Sequence, residues 1–127
     1  MRDAGRGAPD DEEDDMKRIT AIVRAEKLEA LKEALFEAHV RGMTIVQVQG
    51  CGNSHGWTEY VRGRQVPLNT IPKVQFDLVV DDSQVDDIVA VICAAARTGE
   101  VGDRKIFVAP VEEVVRIRTG ERGSAAV

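Results

Sequence analysis

The segment Lys73–Val80, KVQFDLVV, constrains the fold most tightly. It alternates strictly, with Val74, Phe76, Leu78 and Val80 on one side and Lys73, Gln75 and Asp77 on the other. That period of two is the mark of a strand with one buried face. Three more segments read as strands. KRITAIVR (Lys17–Arg24) is rich in β-formers, MTIVQVQG (Met43–Gly50) alternates, and KIFVAPV (Lys105–Val111) is limited by Pro110. Two helices separate them. Over Glu26–His39, Leu28, Leu31, Leu35 and Ala38 share one face, and Gly42 can end the excursion after this helix. In DDSQVDDIVAVICAAARTG, acids and Ser83 open the helix, Val85, Ile88, Val89, Ile92 and Ala96 form the apolar face, and Gly99 ends it.

The order β-α-β-β-α-β predicts an α+β, ferredoxin-like fold. A four-stranded antiparallel sheet carries two helices on one face. The sheet's other face is not fully polar, because Ile22, Ile45 and Val79 are expected there among polar neighbours. Covering that face with further copies of the chain resolves the problem, so an oligomer is expected.

One segment resists this plan. GCGNSHGWTEYVRGRQVPLNTIPK (Gly50–Lys73) is polar, punctuated by glycine and far longer than an ordinary hairpin connection. A loop of that length in a 127-residue chain points to function.

The net charge is confined to one end. Residues 1–15 hold seven acids and two arginines, which accounts for the whole chain's net charge of −5. The remainder balances 15 acids against 15 bases, giving no electrostatic case for nucleic-acid binding. The tail has no Leu, Ile, Val or aromatic residue, and disorder is the expectation for 1–15, with a domain over 16–127. No apolar run is long enough to insert in a membrane. Cys51 and Cys93 lack metal-ligand or disulfide spacing, and a cytoplasmic setting is the default. Cys51 is expected as a buried small hydrophobe.

Three segments together resemble the PII nitrogen-regulatory signal-transduction family. They are MKRITAIVRAEKLEALKEAL; GMTIVQVQGCG with GWTEYVRG and PKVQFDLVV; and AARTGEVGDRKIFVAPVEEVVRIRTGERG (Ala95–Gly123). Met16 sits where members commonly begin, which favours residues 1–15 as an appendage. The resemblance implies a homotrimer of the fold read above, a partner-contacting T-loop over 52–72, a C-terminal loop and tail over 111–127, and adenine-nucleotide clefts between subunits. It implies no enzyme but a regulator of a target in nitrogen metabolism: an ammonium channel, a metabolic enzyme or a transcription regulator.

The resemblance also nominates residues. Gly42, Met43 and Thr44 match the edge that contacts base and ribose, with Asp77 (in place of a glutamate) and Val79 beside it. Gly50, Gly52 and Asn53 match the base of the T-loop. Gly102, Asp103, Arg104 and Lys105 match the phosphate turn, with Arg104 replacing a glycine. Arg116 and Arg118 match paired arginines, and their spacing puts both on one face if that segment is extended. Guanidinium forks suit phosphate oxygens. The ligand is ATP or ADP. Mg²⁺ is possible with ATP, although the usual glutamine ligand is Ser54 here. Ser54, His55, Gly56 and Lys73 are possible effector contacts, though a lysine is equally a common surface residue. A weakened or lost 2-oxoglutarate response follows from Ser54. The tyrosine that is modified in many members is Val66 here, the phosphorylated serine corresponds to Arg64, and the only tyrosine, Tyr60, does not match. The alternative is a sensor of another small anion such as bicarbonate. A slow nucleotidase is less favoured, since no nucleophile–base set is visible.

Overall fold

The structure is a computed structural model that describes residues 15–51, 57–61, 64–68 and 70–127. Among the described residues, six strands and two α-helices follow one another. Strand β1 is Met16–Arg24, helix α1 is Leu28–Glu37 and β2 is Thr44–Cys51. Next come β3 (Trp57–Val61), β4 (Arg64–Leu68) and β5 (Thr70–Asp81). Helix α2 is Val85–Ala96 and β6 is Ile106–Val111. The main sheet runs β2-β5-β1-β6 with every pair antiparallel. This is the four-stranded, two-helix ferredoxin-like arrangement that the element order predicts.

Alternation in β5 places Val74, Phe76, Leu78 and Val80 in the core. Register pairs Phe76 with Ala21 and Leu78 with Ile19, so β1 presents its apolar side to the same layer. The helices complete that layer with Leu31 and Leu35 from α1 and Ile88 and Ile92 from α2, all buried. Each such side chain contributes about 1.5–3 kcal/mol on leaving water. Before α2, Asp81 and Gln84 form a reciprocal capping box, in which the Asp81 N–H donates to Gln84 Oε1 at 3.1 Å. That box starts the helix, where the sequence suggested Ser83. Pro110 is accepted because β6 is an edge strand.

Helix α1 stops short of the expected His39. It ends at Glu37, and His39 takes a left-handed φ of 70°. The Val40 N–H donates to the Leu35 carbonyl at 2.9 Å and the His39 N–H to the Phe36 carbonyl at 3.0 Å. This Schellman pairing buries Val40 beside Leu35 and satisfies the helix's last carbonyls. A side chain in the left-handed region costs about 1–2 kcal/mol. His39→Gly is therefore expected to raise stability by about 1 kcal/mol and the melting temperature by roughly 4 °C. A variant melting below the parent in scanning calorimetry would contradict this. Gly99 likewise does not end α2. That helix stops at Ala96, and Gly99, with φ 86°, bends the turn that follows.

Two expectations about the sheet also change. Ile45 pairs with Phe76, so it lies on the helix side. Val46 and Val48 occupy the outer face instead, opposite Gln75 and Lys73. The outer face then carries Val46, Val48, Ile22, Val79 and Phe107 around a polar centre. The long loop is also shorter than its polarity suggests. Pairing of Gly50 with Ile71 and Cys51 with Thr70 carries the sheet into both of its ends, including the expected loop residues 70–72. Within it, β3 and β4 form their own antiparallel ribbon, with Val66 and Arg64 on β4 and Tyr60 on β3. Residues 1–14 and Gly52, Asn53, Ser54, His55 and Gly56 lie outside the described residues. Asp15, placed in the tail by composition, accepts a bond from the Asp82 N–H at 3.0 Å.

Candidate functional site

The nominated residues fall into separate groups. The first surrounds an open cleft of about 740 Å³ where β2 begins, lined by Gly42, Met43, Thr44, Asp77 and Val79. Thr44 lies opposite Asp77 across the β2–β5 pair. Asp77 Oδ1 accepts from Thr20 Oγ1 at 2.6 Å and from Arg18 Nη2 and Nε at 3.1 and 3.3 Å. Its Oδ2 accepts from Gln75 Nε2 at 2.9 Å. Burial pushes the Asp77 carboxyl up, but the hydrogen bonds from Thr20, Gln75 and Arg18 outweigh it and hold it below its ordinary value. Asp77 is a fixed anion built into the sheet. Sequence reasoning missed Arg18, Thr20 and Gln75. Their even spacing marks a common strand face, but only register brings them to Asp77.

The second group gathers where β1, β2 and β5 meet the turn before β6. Lys73 is not a surface lysine. It is only 5% exposed, and its Nζ donates to the Gly102 carbonyl at 2.7 Å. Burial pushes the Lys73 ammonium below its ordinary value, and the nearby Arg24 and Arg104 charges add to that. Gly50 explains how the lysine fits. A Cβ at Gly50 would lie 3.0 Å from Lys73 Cγ, so the missing side chain leaves a channel for the stem. A Cβ at Gly102 would lie 2.6 Å from Arg24 Nη2, so this glycine lets the guanidinium sit against the turn.

Asp103 organises that turn. Its carboxylate accepts from Thr98 Oγ1 at 2.7 Å, from the Thr98 and Gly99 N–H groups at 2.9 Å each, and from Arg24 Nε at 2.9 Å. The Thr98 hydroxyl first, then Arg24 and the two backbone donors, hold the Asp103 carboxyl well below the usual carboxylate range. Asp103 is thus committed to shaping the turn. Arg104 and Lys105 are exposed and line a second cleft of about 320 Å³ with Arg24 and Asp103. Arg104 Nη1 reaches the Cys51 carbonyl at 3.5 Å, tying the turn to the end of β2. Cys51 itself is exposed, against the expectation from its apolar match, because β2 is an edge strand whose side chains are largely uncovered. Arg24 is the residue here that sequence reasoning missed.

The two arginines of the C-terminal segment behave differently from each other. The chain is not extended through them. A bridge between Val115 and Arg122, with the Arg116 N–H donating to the Glu121 carbonyl at 2.8 Å, closes a turn. Arg118 is exposed within it, and Arg116 is half-buried at its base. Val114, Ala126 and Val127 form one side of the larger cleft. Arg116 is joined to that wall through its Nη2, which donates to the Val127 carbonyl at 3.4 Å. Lys73 stands four residues from Asp77 along β5, about 13 Å at the usual strand rise. Neither cleft contains both groups.

No helix among the described residues is long and apolar enough to cross a membrane. Fold and site together define a ferredoxin-like protein with a long ribbon-bearing excursion and an uncovered sheet face, its candidate site residues gathered near two clefts. The chain belongs to the nitrogen regulatory protein P-II family, whose model matches residues 16–121. It is 50% identical over 112 residues to the nitrogen regulatory protein P-II of Nostoc punctiforme, covering 88% of this chain and all of that one. It is equally similar to nitrogen regulatory protein P-II 2 of Methanothermobacter thermautotrophicus, with 88% and 97% covered. The crystal structure of Arabidopsis thaliana PII bound to citrate superposes with a TM-score of 0.73 at 36% identity, covering 89% of this chain and 92% of that one.

Proposed function

We propose that this protein is a nucleotide-responsive regulator. It binds ATP or ADP in clefts between the subunits of a homotrimer and controls a target protein in nitrogen metabolism through the segment between β2 and β5. The observation that supports this reading best is the division of the candidate residues. Gly42–Thr44, Asp77 and Val79 line one cleft, with Arg116 bonded to Val127 of its wall, and Asp103–Lys105 line another, next to Gly102. A neighbouring copy on the outer face would bring the first group of one subunit to the second group of the next. Base and ribose would meet the β2 edge. The phosphates would meet the Gly102 turn, Lys105 and the arginines. Arg104 links that turn to Cys51, so occupancy of the turn is felt where the excursion leaves β2.

Mg²⁺ could arrive with ATP, held by phosphates and water. The described residues do not fit a resident ion, because the carboxylates nearest the clefts, Asp77 and Asp103, are spent on protein donors. With Ser54 in place of the glutamine, 2-oxoglutarate is expected to bind weakly or not at all. A second reading, a sensor of another small anion such as bicarbonate, draws on the three cations Arg24, Lys73 and Arg104 near Gly102. The citrate held by the Arabidopsis thaliana relative supports it.

Isothermal titration separates these readings. Saturable ADP and ATP binding, one per chain, with little response to 2-oxoglutarate is the expected result. Bicarbonate binding without nucleotide binding would favour the second reading. Tight, magnesium-dependent 2-oxoglutarate binding would overturn the role given to Ser54.

A further inference from the structure

The C-terminal segment places a carboxylate on a cation that the proposed nucleotide needs. Arg116 Nη1 pairs with Glu121 Oε1 at 3.4 Å, and Arg116 Nη2 reaches the Val127 carbonyl at 3.4 Å. The turn holding them together is made by backbone. The Arg116 N–H donates to the Glu121 carbonyl, the Gly120 N–H to the Arg116 carbonyl at 2.7 Å, and the Gly123 N–H to the Val114 carbonyl at 3.0 Å. Gly120 and Gly123, with φ of 75° and 71°, let the chain double back. Val114, Ala126 and Val127 then lie along the larger cleft. Thr119 Oγ1 donates to Glu121 Oε1 at 2.9 Å and helps fix the carboxylate toward Arg116.

We infer that Glu121 sets the affinity of this cleft for polyphosphates by competing for the Arg116 guanidinium. The inference rests on the nucleotide reading above. A carboxylate and a phosphate oxygen present the same planar donor fork with the same kind of acceptor. A nucleotide that recruits Arg116 must therefore displace Glu121. Arg116 and Glu121 are partly exposed, so the pair is a modest one, and its removal changes affinity by a few-fold. Glu121 touches no ligand in this scheme. It is a positioning residue acting through Arg116.

Glu121→Gln tests this in the full-length protein. The amide still accepts the Thr119 hydroxyl, and the backbone bonds that close the turn do not use the side chain. ADP and ATP are expected to bind about threefold more tightly to Glu121→Gln by titration calorimetry. Their affinity should also fall more steeply with added salt, because Arg116 is left free for phosphate. Glu121→Asp, which keeps the charge, should bind like the parent. Equal or weaker binding by Glu121→Gln, with the parent binding normally, would overturn the inference and leave the nucleotide reading standing. Absence of nucleotide binding in all three proteins would overturn both.

Discussion

Phe107→Glu is expected to yield a folded monomer that no longer binds ADP or ATP. Phe107 lies on edge strand β6, opposite Thr20, on the sheet face away from the helices. It is 52% exposed in the single chain. A carboxylate there meets water in the isolated protomer, so the core of Phe76, Ile19, Leu31, Leu35 and Ile92 is untouched. In a trimer that buries this face, the same carboxylate would lose its water and cost on the order of several kcal/mol per subunit. Sedimentation should report a monomer, and circular dichroism should report parent-like helix and strand. Nucleotide binding is lost with assembly, since neither cleft of one chain holds both groups. A variant that stays trimeric and binds ADP like the parent would refute the shared-cleft reading.

The second large effect is expected at Asp103. In Asp103→Asn the carboxylate that gathers Thr98, Gly99 and Arg24 is gone, and one of its two acceptor positions becomes a donor. The turn carrying Gly102, Arg104 and Lys105 loses its anchor, while Lys73 keeps its bond to the Gly102 carbonyl. Affinity for ADP and ATP should fall about tenfold, equivalent to losing one charge-assisted contact. The variant should also melt somewhat below the parent at neutral pH, because the carboxylate's share of the stability is gone. The variant also reports on pH. The folded Asp103 carboxyl titrates below its ordinary value of 3.8. Its stabilising share is therefore present above pH 3.8 and drains away as pH falls through the folded value. Urea unfolding between about pH 2 and about pH 6 should show a shallower acid loss in Asp103→Asn than in the parent. Superimposable acid profiles would show that the carboxylate is not held as described.

Much of the architecture was legible because its signals are local. A period of two in Val74–Val80 needs only neighbouring residues to specify a half-buried strand. The spacing of Leu28, Leu31 and Leu35 does the same for a helix. Three matching segments carried the family. Errors came where a residue's role depends on its partner in space. Helical spacing carries the first helix to His39, but the Schellman pairing of Val40 with Leu35 ends it at Glu37. Ile45 was set on the wrong face because alternation says which residues share a side and not which side is covered. Arg118 was read as extended, whereas the backbone bonds of Arg116, Gly120 and Gly123 form a turn.

The sequence by itself determined the element order, the composition of the core and the membership of the P-II family. Those depend on periodicity and on short matched segments. Only the tertiary structure decided that Lys73 is buried beneath Gly50, that Asp103 is an organiser of its turn, and that Asp77 is held by Arg18, Thr20 and Gln75. Each of these joins residues far apart in the chain, through strand register and close backbone approach. A desolvated charge can be recognised only when the groups that surround and satisfy it are known.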